Sequence, residues 1–243
     1  MNPGFRVQIL NGPNNRCTFV LRVEQITKKP LKKNQPANIF DQRAAQWDGA
    51  SNRQKIANHT ADAIIREVRP SNEMEVLDVG CGTGLLTLRI RPLVHQITGA
   101  DSSVKMLEVL EQKIREQQLE NIQLRYTDLN EGDPVEGRFH LIISSMTLHH
   151  LKSIEAVFRQ FYEALYPGGY LAFADLDRED GTFHRDNTGV HHLGFDREEL
   201  KSLLRQTGFT GVHDVTATTI QKEPEREEGQ REFTVFLMVG KKA

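Results

Sequence analysis

Three glycines at alternate positions, Gly80, Gly82 and Gly84, follow directly on the short run Val76-Leu77-Asp78-Val79, with Cys81 and Thr83 between them. A carboxylate, Asp101, stands 17 residues beyond Gly84, just after a second run, Ile97-Thr98-Gly99-Ala100. Glycine at a strand-to-helix turn lets a ligand come against the backbone, where any Cβ would block its approach. Leu85 occupies the place of the third glycine in a dinucleotide fingerprint. The spacing therefore argues against a pyrophosphate over the turn and for a smaller nucleoside. An acid at the end of strand two can accept hydrogen bonds from both ribose hydroxyls. Asp128, followed by Leu129, comes after a third run, Ile122-Gln123-Leu124-Arg125-Tyr126, and faces the same crevice. In open α/β sheets, ligands sit beyond the carboxyl ends of the strands where strand order reverses.

A second set of residues can move protons. His149 and His150 lie just beyond the run Phe139 to Ser145, and imidazole titrates near neutrality. Either ring could take a proton from a thiol, phenol or amine, or the pair could merely orient its loop. The segment from Asp175 to His184 and the pair His191-His192 form another polar cluster. It reads either as a loop lining an acceptor, with His191 or His192 near it, or as an ordinary ordered loop. No metal is expected: the histidine pair is adjacent rather than at i, i+4, and no matching carboxylate set follows strand four or five.

The elements that must position these groups alternate. Ile56, Ala57, Thr60, Ala61, Ile64 and Val68 recur at helical spacing. Ser102 or Ser103 caps a helix that buries Met106, Leu107, Leu110 and Ile114. Another helix carries Ile154, Val157, Phe158, Phe161 and Leu165 and stops before Pro167-Gly168-Gly169. Asp196, with Glu199 at the capping-box position, starts the last helix. Two strands close the chain, Val212 to Thr218 and Glu232 to Val239, joined by an acidic connection from Glu223 that reads as a solvated hairpin loop. Alternating β and α elements imply a largely parallel sheet covered by helices on both faces. The closing pair, with no helix between, implies an antiparallel last strand.

With 243 residues, one full α/β domain fits and two do not. Residues 1–36 read as an N-terminal extension, a small hairpin or a disordered arm, ending in the basic linker Lys28 to Lys33, and the domain proper spans 37–243. Thirty-one Lys and Arg against 33 Asp and Glu leave no basic excess for a nucleic-acid backbone, so no DNA partner is expected. Two cysteines, Cys17 and Cys81, offer neither a disulfide framework nor a zinc cluster. Without a leader pattern or an 18-residue apolar stretch, the expectation is a soluble, cytoplasmic protein with no membrane contact.

Together these motifs resemble the class I S-adenosylmethionine-dependent methyltransferases over roughly residues 40 to 240. Val76 to Gly84 is similar to the family's first motif, Asp101 to its ribose-binding acid, and Asp128-Leu129 to its adenine-binding pair. Leu165-Tyr166-Pro167-Gly168-Gly169 resembles the turn that leads into strand five. Phe40-Asp41-Gln42-Arg43-Ala44-Ala45-Gln46-Trp47-Asp48 resembles the lid of many small-molecule members, with Trp47 either closing over the methionine end or simply packing. The resemblance implies a Rossmann-like three-layer αβα sandwich with a seven-stranded, mostly parallel sheet in the order 3-2-1-4-5-7-6. It implies S-adenosylmethionine as cofactor, S-adenosylhomocysteine as product, and a small-molecule acceptor. The cofactor residues carried over are Asp78, Gly80, Cys81, Gly82, Gly84, Asp101, Ser102, Met106, Asp128, Leu129 and Ser144. In this family the end of strand four faces the transferable methyl, which makes His149 and His150 the catalytic candidates. Acceptor identity, the attacked atom and oligomeric state are not legible in these motifs.

Overall fold

The protein, seen as a computed structural model, is described over residues 40–222 and 231–243. The expectations for residues 1–36 fall outside the described residues, as does most of the acidic connection. Among the described residues seven strands form one sheet: β1 (Glu75–Val79), β2 (Gln96–Asp101), β3 (Ile122–Tyr126), β4 (Phe139–Ser145), β5 (Leu165–Leu176), β6 (Phe209–Lys222) and β7 (Arg231–Lys242). Their order is β3-β2-β1-β4-β5-β7-β6. The first five pair in parallel, while β7 runs antiparallel to both β5 and β6. This is the Rossmann-like arrangement, strand order included, that the family resemblance implies.

Side chains alternate between two cores, as the two-residue period of a strand requires. Val76, Leu141 and Ile143 face one core with residues of α1 (Ser51–Val68), α2 (Leu85–Ile90) and α3 (Val104–Glu116). Leu77, Val79 and Ile142 face the other, against α4 (Ile154–Ala164) and α5 (Arg197–Thr207). The apolar stripes expected for α1 and α3 are the ones buried, and Ser103 caps α3 by accepting the Met106 N–H. Asp196 caps α5 through the Glu198 and Glu199 N–H groups, but the Glu199 carboxylate pairs with Arg178, so only half of the expected capping box forms. Leu165 already belongs to β5, where it pairs with Phe139 before a register shift. The two closing strands are also longer than read from sequence, because β6 and β7 pair from Phe209↔Lys242 to Lys222↔Arg231. No described helix is long and apolar enough to cross a membrane.

The glycines of the turn after β1 do different work. Gly84 has φ +87, and a Cβ on it would overlap Leu110 of α3. Gly84→Ala should therefore destabilise the fold by about 1–3 kcal/mol through overpacking and left-handed strain. Gly82 (φ +55) has nothing within 4 Å of a built Cβ, so Gly82→Ala should cost less. Urea denaturation of both variants checks the difference.

Candidate active site

Strand order reverses between β1 and β4, with β2 and β3 on one side and β5 on the other. A cavity of about 790 Å³ opens there, within the usual range of small-molecule sites. Its walls carry the glycine turn, the strand-end acids and the histidines, together with Phe40 and Trp47.

On the β2 and β3 side the acids are held by backbone. Asp101 accepts the Gly82 N–H through one carboxylate oxygen at 2.8 Å and the Ser103 N–H through the other at 2.7 Å. Each oxygen keeps further acceptor capacity at the cavity wall. Burial pushes this carboxyl up to about 6 against those two donors, with Asp41 adding to the rise. Asp78 lines the cavity and accepts the Thr87 hydroxyl at 2.6 Å; burial carries it up to about 7. Asp128 caps a short 3-10 turn by accepting the Asn130 N–H. The open space at Gly82, the tethered acid beyond it and the neighbouring Asp128 lie along one wall of the cavity.

The segment from Phe40 is tied to this side. Asp48 accepts the Thr83 hydroxyl and pairs with Lys113, whose ammonium also donates to the Thr83 carbonyl at 2.7 Å. Asp41 accepts the Ser103 hydroxyl at 2.6 Å. The expected lid helix is a 3-10 helix, Ala44–Gly49. Phe40 packs edge-on against both Trp47 and His150, and the Arg53 guanidinium lies 3.8 Å from the Trp47 ring centre. Asp48 thus pins this segment to the glycine turn and Asp41 pins it to the start of α3, while Phe40 reaches His150.

On the β5 side lies a buried pair. His149 Nδ1 is 2.7 Å from the Asp175 carboxylate, with side-chain exposures of 1% and 0%. Burial alone would raise the Asp175 carboxyl. The His149 ring and the His149 and Leu176 N–H groups outweigh it and hold the acid below its ordinary value. Asp175 holds the ring at Nδ1 and so orients it, with Nε2 on the side away from that contact. His184 Nε2 lies 3.2 Å from that atom. The loop carrying His184 folds around Glu179, whose carboxylate accepts the Gly181, Thr182 and Phe183 N–H groups. It is anchored where His191 and His192 N–H donate to the His149 carbonyl. His150 Nδ1 bonds the Gly189 carbonyl at 2.8 Å. Burial and the neighbouring His149 drive His150 down to about 4 and His184 down to about 3, so both rings are neutral near pH 7.

Residues 50–214 match the family profile described as a methyltransferase domain. The chain belongs to the class I S-adenosylmethionine-dependent methyltransferases. An uncharacterized methyltransferase of Schizosaccharomyces pombe is 30% identical over 154 residues, covering 57% of this chain and 54% of its own. The malonyl-[acyl-carrier protein] O-methyltransferase of Priestia megaterium is 28% identical over 169 residues, covering 69% and 58%. The chain thus spans little more than half the length of these curated relatives. The solved structure of Haemonchus contortus phosphoethanolamine N-methyltransferase 2, in complex with S-adenosyl-L-methionine, superposes with a TM-score of 0.61 at 15% identity. It covers 76% of this chain and 52% of that one, a likeness of fold.

Most of the residues singled out from this methyltransferase's sequence line one cavity: Trp47, Asp78, Gly80, Cys81, Gly82, Asp101, Ser102, Met106, Asp128, Leu129, His149, His150 and His191. Three do not. Ser144 is fully buried and donates to the Val79 carbonyl at 2.8 Å, because strand alternation leaves the wall to Ser145. Gly84 faces Leu110 rather than the cavity. His192 turns away to donate to the Leu151 carbonyl and stack on Phe195. Asp175 and His184 bound the polar cluster named from the sequence, which gives neither a role of its own. Asp175 closes an apolar strand, and only the fold brings it beneath His149; His184 sits 35 residues from the histidine it meets.

Proposed function

We propose that this methyltransferase binds S-adenosylmethionine along the glycine turn and transfers its methyl group to a small-molecule acceptor held against the histidines. The observation that carries the reading is a single cavity joining the Asp101–Gly82 cradle to the buried His149–Asp175 pair across the switch point. When bound, the cofactor supplies a methyl group already activated by a sulfonium. The protein's part is then mainly positioning, worth about 7–11 kcal/mol when it replaces a bimolecular encounter. Asp101 and Asp128 orient the nucleoside. The Phe40–Asp48 segment, clamped through Asp41 and Asp48, shields the turn from water. Asp175 orients the His149 ring so that its Nε2, 3.2 Å from His184 Nε2, lies at the acceptor end of the cavity.

The cradle carries a pH signature. Asp101 needs its charge to accept two hydroxyl donors, and burial sets its carboxyl at about 6. Affinity for S-adenosylhomocysteine should therefore be level at high pH and fall as pH drops through that value. It should be lower by about tenfold one unit below it. Calorimetric titrations at successive pH values check this; affinity that stays flat down to pH 5 would detach Asp101 from the ligand.

The activity itself is tested by incubating the protein with labelled S-adenosylmethionine and a library of small thiols, phenols, carboxylic acids and amines. Labelled product is expected from a narrow chemical class. Label on no acceptor, in a protein that binds the cofactor, would overturn the enzymatic reading in favour of a nucleoside-binding protein on the same fold.

A further inference from the structure

His149, His150 and His184 each offer one ring nitrogen, and these atoms lie within 4.8 Å of one another. We infer that the three Nε2 atoms form a binding site for a divalent transition ion of the zinc class, with its open position turned toward the acceptor in the cavity. Two ligands about 2.1 Å from an ion at a tetrahedral angle stand roughly 3.4 Å apart. His149 and His184 Nε2 are already 3.2 Å apart. The three ring centroids lie 4.1, 5.0 and 5.6 Å apart, and the His150 nitrogen lies within 4.8 Å of the other two.

The atoms behind the rings point the same way. A metal-binding histidine almost always gives its other N–H to a carboxylate or carbonyl, which fixes the tautomer and raises ligand basicity. Asp175 does this for His149 at 2.7 Å, and the Gly189 carbonyl does it for His150 at 2.8 Å. In the ion-free arrangement the short His149–His184 contact is a hydrogen bond carried by His184 Nε2–H. Ion binding moves that proton to His184 Nδ1 without net release. The sequence spacing hid this site because its ligands come from the turn after β4 and the loop after β5, whereas the adjacent pair His191-His192 is not part of it.

Three imidazoles with a fourth position open make a centre suited to catalysis rather than to structure. Its charge, an ion of +2 against the one carboxylate of Asp175, favours an anionic fourth ligand. The acceptor class assigned is therefore an ionisable hydroxyl or thiol, bound to the ion as its oxyanion or thiolate after its proton passes to solvent. The new carbon–oxygen or carbon–sulfur bond forms as the sulfonium's methyl–sulfur bond breaks, and no oxidant or reductant is required. This use of the ion rests on the methyltransferase reading; the binding of the ion does not.

The test is to strip tag-free, full-length protein with a chelator and titrate it with cobalt(II). Calorimetry and visible absorption follow the cobalt, while a parallel titration follows S-adenosylhomocysteine. One equivalent of cobalt with a tetrahedral-type spectrum is expected, displaced by zinc. Asp175→Asn should weaken cobalt binding about 10–100-fold by removing the carboxylate behind the ligand. His184→Ala should abolish the spectrum, His192→Ala should leave it unchanged, and S-adenosylhomocysteine affinity should persist in all three variants. Cobalt binding without S-adenosylhomocysteine binding would still support the ion site while removing the cofactor reading. Absence of the spectrum in a wild-type protein that binds S-adenosylhomocysteine, or equal loss in His184→Ala and His192→Ala, would overturn it.

Discussion

Asp101→Ala should raise the dissociation constant for S-adenosylhomocysteine by roughly 10–150-fold while the protein stays folded. The carboxylate is proposed to accept two ribose hydroxyls, and hydrogen bonds to a charged group are worth about 1.5–3 kcal/mol, which converts to that range. Its removal also frees the Gly82 and Ser103 N–H groups, which it holds at 2.8 and 2.7 Å. The Gly82 N–H adjoins the cavity, where water can replace the lost acceptor, while the buried Ser103 N–H loses its partner, so thermal stability should fall modestly with the protein still folded. Asp101→Asn, which keeps one acceptor oxygen without the charge, should fall between the two. Isothermal titration with circular dichroism on the same samples reads both effects. Wild-type affinity in a folded Asp101→Ala protein would remove this residue from the ribose.

His149→Gln should lower turnover by about 10²–10⁴-fold and leave S-adenosylhomocysteine affinity within a few-fold of wild type. The substitution removes Nε2, proposed to act only on the acceptor side, as base or as ligand to the ion, and a loss of that kind falls on kcat rather than on cofactor binding. Asp175→Asn should reproduce much of the effect with the histidine still present, because an amide no longer fixes the proton on Nδ1. Steady-state kinetics with the acceptor found by library screening gives the comparison. A parallel fall in cofactor affinity and stability would instead make the pair architectural, holding the loop that crosses beneath the cavity.

The order of elements was legible because each carries its own punctuation: glycines after β1, acids ending β2 and leading from β3, a serine or aspartate cap before α3 and α5. These are local signals, set by backbone geometry and by the orphan amides of a helix start. The relation of His149 to Asp175 and His184 was not legible, since it depends on β4 and β5 pairing side by side and on a loop folding back over both. The sequence rule for metal ligands looks for spacing along one helix, and this cluster is assembled across two loops. Ser144 differs from its expected place for another reason: a shift of one residue along a strand exchanges the two faces of the sheet. Gly84 shows the same limit, because the turn motif marks a glycine without saying whether a ligand or a neighbouring helix requires it.

The cavity beside Gly82 is the proposed seat of the cofactor. Calorimetric titration of the full chain with S-adenosylhomocysteine, with NAD as comparator, tests it most directly when the Gly82→Val variant is measured alongside. Saturable one-to-one binding of S-adenosylhomocysteine is expected, with none of NAD, and loss of binding in a folded Gly82→Val protein, whose branched side chain enters space now clear to 4 Å. Absence of S-adenosylhomocysteine binding to the folded wild type, or undiminished binding to Gly82→Val, would contradict it.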